Sequence, residues 1–176
     1  IKASYKGKDG KQVYTIVVNG ETLRVTQIST GGAHTCVVTT SQAAKCWGYN
    51  GNGQLGNGTT TNSSKPVTVS GLSTGAVKIF AGNLHTCAIV GSMYVHTSVR
   101  CWGNNYFGQL GNGTTTNSLI PVTVGLSSSD MTGRGSNYTY NATMALGGYH
   151  TCLLGGDGSL KCWGANDFGS VGNSNS

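Results

Sequence analysis

The sequence predicts an all-β fold built from propeller-type antiparallel blades, and three observations predict it. A long motif returns three times, at His34, His85 and His150, 51 and then 65 residues apart. Periods near 50 residues with several short strands per unit are typical of propeller blades. Turn formers are dense, with 29 Gly but only 2 Pro in 176 residues, and β-branched runs lie between them, as short strands joined by tight turns require. Helix formers are scarce and no long apolar period of 3.6 residues occurs, so no long helix is expected.

The motif has parts that can be read separately. Gly-Gly-Ala-His34-Thr35-Cys36 returns as Gly-Asn-Leu-His85-Thr86-Cys87 and as Gly-Gly-Tyr-His150-Thr151-Cys152. Each copy leads to a basic residue followed by Cys-Trp-Gly, at Cys46-Trp47-Gly48, Cys101-Trp102-Gly103 and Cys162-Trp163-Gly164. A loop follows in each: Asn50 to Asn57 with Gln54-Leu55-Gly56, Asn105 to Asn112 with Gln109-Leu110-Gly111, and Asn166 to Asn173 with Ser170-Val171-Gly172. The first two copies continue to Pro66-Val67-Thr68-Val69 and Pro121-Val122-Thr123-Val124. The third reaches Ser176 before such a strand, leaving about two and a half repeats, at about 31–81, 82–146 and 147–176. The sequence therefore predicts either a fragment of a longer propeller or three units that suffice with help from the N-terminal segment or from neighbouring chains. The start at Ile1 is read in the same way, as a processed mature form or a piece of something longer.

In the third copy Gly155-Gly156-Asp157-Gly158-Ser159 is a strong turn signal between two short apolar strands. Folding there sets Cys152 opposite Cys162. The same spacing sets Cys36 opposite Cys46, and four extra residues in the tip let Cys87 face Cys101. A facing pair that shares no ladder hydrogen bonds brings its Cα atoms within disulfide reach. The alternative is a metal: His34 and Cys36 point to one face of a strand with Cys46 across from them. No Cys-x-x-Cys occurs, and a closed zinc site wants four ligands. Six cysteines in three like-spaced pairs, in a chain this poor in charge, favour disulfides, no metal and no cofactor, and with them an extracellular or cell-surface compartment.

Charged residues make up only 9% of the chain, against about 25% in ordinary soluble domains. The net charge of +6 does not predict a nucleic-acid partner. Lys2, Lys6, Lys8 and Lys11 crowd the first residues, and the other seven cations are scattered singly. No apolar run approaches the length of a membrane span. Only five carboxylates occur, Asp9, Glu21, Asp130, Asp157 and Asp167, and Asp157 and Asp167 read as turn residues instead of a glycosidase pair. With no nucleophile elbow, phosphate loop or zinc-protease motif, the sequence predicts no enzyme. The three motif histidines, His34, His85 and His150, read as structural imidazoles, and Gln54 and Gln109 as side-chain bridges between units.

Residues 1–27 form a separate element. Val13–Val18, Asn19-Gly20 and Glu21–Thr26 read as one two-residue hairpin pairing Val18 with Glu21. Its face of Tyr14, Ile16, Leu23 and Val25 is expected to cover the blade stack, leaving residues 28–176 for the repeats.

The His-Thr-Cys, Cys-Trp-Gly and Gly-Gln-Leu-Gly-Asn-Gly-Thr motifs resemble those of the regulator of chromosome condensation repeat family, in its bacterial extracellular form, over about residues 28–176. The resemblance implies a β-propeller, commonly seven-bladed, that recognises proteins. Known members exchange nucleotide on a small GTPase, dock on chromatin or inhibit a β-lactamase. The matched motifs hold blades together, so none of these activities transfers residue by residue. The expectation is a non-catalytic extracellular recognition or adhesion module, with a protein or glycan partner. Its contact candidates are the aromatic loop residues Tyr49, Tyr106, Phe107 and Phe168. The alternative is a structural subunit of a surface filament, sheath or appendage, a homo-oligomer completed through its spare hairpin. Asn57, Asn62, Asn112, Asn137 and Asn141 each begin a glycosylation triplet.

Overall fold

The computed structural model describes residues 4–6, 12–14, 17–18, 21–92, 96–127, 130 and 142–173. Fifteen strands organise them. Two short antiparallel pairs come first: β1 (Ser4–Lys6) with β2 (Gln12–Tyr14), and β3 (Val17–Val18) with β4 (Glu21–Thr22). Three antiparallel sheets follow. Blade one is β5 (Val25–Thr30), β6 (His34–Thr39), β7 (Ala44–Gly48) and β8 (Ser63–Thr68), in that spatial order. Blade two repeats it with β9 (Ala76–Ala81), β10 (His85–Gly91), β11 (His96–Gly103) and β12 (Ser118–Thr123). Blade three has three described strands, β13 (Thr143–Leu146), β14 (His150–Leu154) and β15 (Leu160–Gly164). The described strands make an all-β, incomplete propeller.

Inside each blade the central hairpin places like on like. Cys36 faces Cys46, Cys87 faces Cys101 and Cys152 faces Cys162. Each pair is joined by a disulfide, with Cα atoms 4.0–4.1 Å apart. The tip of the second hairpin, residues 93–95, lies outside the described residues. Pro66 and Pro121 fall in the outermost strands β8 and β12, where a residue without an N–H costs the sheet nothing on its open side.

Two expectations about boundaries need correction. The hairpin expected over Val13–Thr26 keeps its register, with Val18 opposite Glu21, but not its length. Gln12–Tyr14 pairs back onto Ser4–Lys6, and Val25 starts β5, which pairs with β6. The alternation that ran on through Thr26 belongs to a four-stranded sheet, where pairing to a buried strand is worth more than an isolated two-stranded ribbon. Val25 is exposed, so it does not cover the stack, and the side chains of Tyr14 and Ile16 lie outside the described residues. The boundary expected at 27/28 falls inside β5. The repeat units are also out of phase with the blades. The unit 31–81 ends with β9, the first strand of blade two, because the most recognisable motif begins at the second strand of each sheet.

The core lies between blades, in two layers. Leu55, Val69, Leu72, Ile79, Ala88 and Trp102 pack between blades one and two, against the Cys36–Cys46 bridge. Leu110, Val124, Met144, Leu153 and Trp163 repeat the arrangement between blades two and three, with the Cys87–Cys101 bridge. The first strands are also tied. The Gln27 amide receives Ile79 N–H and donates to Ile79 C=O, and Lys78 Nζ donates to the Ala142 carbonyl. Gly56 and Gly111 have φ of 68° and 65°, and a Cβ at either would stand 2.7 or 2.6 Å from the next blade's indole nitrogen. No other residue fits there.

Candidate functional site: the joints between blades and the aromatic loops above them

Each pair of neighbouring blades is joined by one polar constellation, made twice. His34 Nε2 meets Thr86 Oγ1 at 2.8 Å, and Thr86 Oγ1 donates to the Gln54 carbonyl at 2.9 Å. The Trp102 indole N–H donates to the same carbonyl at 2.9 Å. One blade later His85 Nε2, Thr151 Oγ1, the Gln109 carbonyl and the Trp163 N–H repeat the set at the same distances. Because each Thr hydroxyl spends its proton on the carbonyl, each His must donate through Nε2–H. Each Nδ1 is then left buried with only a lone pair.

The Gln residues therefore bridge units through their main-chain carbonyls. Their side-chain amides stay at home, Gln54 Oε1 on Asn52 N–H and Gln109 Oε1 on Phe107 N–H. A side-chain role was the natural reading of a repeated Gln, and Ser170 in the third copy was the signal against it, since any residue supplies a carbonyl. Nor do His34 and His85 complete a metal set. Their Nε2 atoms face the neighbouring blade's hydroxyl, and the cysteines join one another.

Burial pushes His34 down to about 4, and burial, helped by the charges that His34 and His150 would carry, does the same to His85. Both imidazoles are neutral at pH 7. In the unfolded chain each would titrate near 6.5, so below that pH the unfolded state binds more protons than the folded one. Stability is expected to be flat above about pH 6.5 and to fall as the pH is lowered towards about 4. Urea midpoints measured across that range check it, and a His34→Gln, His85→Gln double variant should flatten the profile. Asp130 is held below the usual carboxylate range by hydrogen bonds from Lys161 (2.7 Å) and Ser127, so its contribution disappears only at still lower pH.

Above the joints stand the loops that follow each Cys-Trp-Gly, each built on one asparagine, buried in the first two copies and half-buried in the third. Asn50 Oδ1 receives Leu55 N–H at 2.9 Å, and its Nδ2 donates to the carbonyls of Thr59 and Thr61 at 2.9 and 3.0 Å. Asn105 does the same with Leu110, Thr114 and Thr116. Asn166 Oδ1 receives Val171 N–H. The glycosylation candidates belong to this scaffold. Asn57 and Asn112 accept from the amides of Asn50 and Asn105 and from Thr59 and Thr114, while Asn62 Oδ1 receives Asn50 N–H. Asn137 and Asn141 lie outside the described residues.

The scaffold holds aromatic side chains out in solvent. Tyr106 is 73% exposed, Phe107 38% and Phe168 96%. Tyr106 and Phe107 meet edge to face at 5.0 Å, and Phe107 packs on Tyr149 at 5.2 Å. Tyr149, itself 43% exposed, was not among the sequence candidates. It precedes the His-Thr-Cys strand of blade three, so the cluster spans two blades. Among the described residues no ring contact ties Tyr49 or Phe168 to it, and the Tyr49 hydroxyl lies over Gly51. Asp157 accepts Ser159 N–H within its turn, a structural use of that carboxylate.

Fold and joints together define a disulfide-stapled, blade-repeat protein of the β-propeller class. Models of the regulator of chromosome condensation (RCC1) repeat match residues 46–89 and 98–154, and 25–54 and 142–170. The chain belongs to the RCC1 repeat family. It is 31% identical over 153 residues to the ultraviolet-B receptor UVR8 of Arabidopsis thaliana, 85% of this chain and 31% of that protein. It is 34% identical over 146 residues to the human E3 ubiquitin-protein ligase HERC2, 82% of this chain and 3% of that one. The chain thus spans about a third or less of these relatives. Among solved structures, human WBSCR16 superposes with a TM-score of 0.68 at 21% identity, over 88% of this chain and 36% of that one. Prp20p of Saccharomyces cerevisiae superposes at 0.64 and 21%, over 88% and 38%. Both share the fold.

Proposed function

We propose that the chain is a non-catalytic recognition module that binds a protein partner through its aromatic loop face, in an oxidising, extracellular setting. The exposed cluster of Tyr106, Phe107 and Tyr149, held by hydrogen-bonded loops, carries the reading. Tyr is among the residues that dominate binding energy, and rings fixed before binding lose little entropy on contact. Prp20p, which shares the fold, binds Gsp1p and histones, which supports a protein partner. The three disulfides support the compartment.

Screening against an array of extracellular proteins, with a glycan array beside it, tests this. A Tyr106→Ala, Phe107→Ala double variant is expected to weaken the protein hit by about 30-fold or more, the effect of a hot spot of about 2 kcal/mol. Ser41→Ala, in the β6–β7 turn at the other end of blade one, should leave it unchanged. Equal affinity of the double variant and the original chain would overturn the reading.

A further inference from the structure

The β6–β7 turn of blade one holds a residue that its counterpart in blade three does without. Thr39 N–H donates to the Ala43 carbonyl, and Gln42 N–H to the Thr39 carbonyl. The β14–β15 turn closes through the same two bonds, from Gly155 to Ser159 and from Gly158 to Gly155. Gln42 has a φ of 61°, and Gly158, at the same place, 83°. Glycine takes that conformation freely, whereas a side chain there is strained. Gln42 is the only non-glycine residue with positive φ among the described residues. The turn is made in blade three with glycine, so its geometry does not call for a carboxamide. Nor, among the described residues, does any hydrogen bond engage the Gln42 carboxamide. A strained residue whose side chain makes no bond within the fold points to a site.

Gln42 lines a cavity of about 490 Å³ between blades one and two, inside the range of about 300–1,000 Å³ usual for small-molecule sites. Thr39, Thr40 and Ser41 of the same turn line it with Thr26 of β5, and Val38, Ala76 and Val77 add apolar surface. Thr39 Oγ1 and Ser41 Oγ bond to each other at 2.9 Å, and Ala43 N–H donates to Thr39 Oγ1. Thr26 Oγ1 donates to the Val38 carbonyl. The Thr40 hydroxyl, like the Gln42 carboxamide, has no such bond among the described residues. No residue that lines the cavity is ionisable. A second cavity, of about 360 Å³, shares Thr26 and Val77 with the first and is lined further on by Gln27, Phe80 and Thr143. Lys78 also lines it, with its Nζ donating to the Ala142 carbonyl.

We propose that the first cavity binds the end of a neutral saccharide. A carboxamide and a hydroxyl each donate and accept, which answers the paired donor and acceptor of every sugar hydroxyl. Val38, Ala76 and Val77 receive the C–H face of the ring, and a charged ligand would lose its hydration with no counter-charge in the wall to replace it. The second cavity gives room for the next sugar unit. This turn lies at the opposite end of blade one from the loop that follows Cys-Trp-Gly, so the site stands apart from the loop-face reading, and either can fail alone.

Titration of the oxidised, nitrogen-15-labelled chain with maltose, cellobiose, lactose and diacetylchitobiose, each up to about 20 mM, tests it, with glycerol as the control. At least one disaccharide is expected to shift the backbone amides of residues 39–43 and 76–77 saturably, and with them the side-chain amide of Gln42. Gln42→Gly removes the carboxamide and relieves the turn. That variant is expected to unfold at no lower urea concentration than the original chain, and to bind the same disaccharide about 10-fold more weakly or worse. No saturable shift with any of the four, shifts that glycerol reproduces, or equal binding by the variant would each overturn the proposal. So would a variant that unfolds at lower urea, since the side chain would then serve the fold.

Discussion

Trp102→Ala is expected to remove about 3–5 kcal/mol of stability, the usual loss for a fully buried aromatic in a core that cannot collapse around the gap. The ring has no exposure and sits in the layer between blades one and two. Its N–H donates to the Gln54 carbonyl and its edge lies against Gly56. Against a total of about 5–15 kcal/mol for a domain, one side chain then accounts for a large share. The same substitution at Trp163, half-buried but still bonded to the Gln109 carbonyl, should cost less, and at Trp47, half-exposed and outside any joint, least. Urea unfolding of the three variants measures the order. Equal losses would show that the rings stabilise their own blades and not the joints.

Reduction of the disulfides is the larger perturbation. The bridges Cys36–Cys46, Cys87–Cys101 and Cys152–Cys162 close loops with sequence separations of 10, 14 and 10. In the chain-entropy model each contributes about 3 kcal/mol. Losing all three approaches the whole stability of a domain this size, so the reduced chain is expected to be largely unfolded at 37 °C. Circular dichroism with and without reductant checks this. Non-reducing peptide mapping should recover three bridges, each inside one blade. Free thiols with stoichiometric zinc would remove the argument for an oxidising compartment, and bridges between blades would contradict the pairing of β6 with β7 and of β14 with β15.

How much of this was legible in the sequence depends on the range of the interaction. The facing cysteines were readable because a tight turn and a two-residue period fix register locally, and ten residues suffice to see both. The phase of the blades was not, because the first strand of each sheet, such as Ala76–Ala81, is attached to the preceding repeat and has no motif of its own. The main-chain role of Gln54 was hidden because a carbonyl leaves no mark in sequence. Tyr149 was missed because its counterparts are Ala33 and Leu84, so that repetition, the signal that found the other parts, carries no aromatic at that place. The N-terminal hairpin was overextended because alternation alone cannot say where one sheet stops and the next begins.

The offset between repeat and blade has a consequence for how such a protein grows by duplication. A copied segment from His34 to Ala81 carries the last three strands of one sheet and the first strand of the next. A newly inserted copy therefore cannot complete a four-stranded blade from its own residues alone. Its leading hairpin takes its first strand from the segment before it, and its trailing strand serves the segment after it. Each duplication is stitched in on both sides at birth, and the ancestral unit, released alone, would lack the strand that makes it a blade.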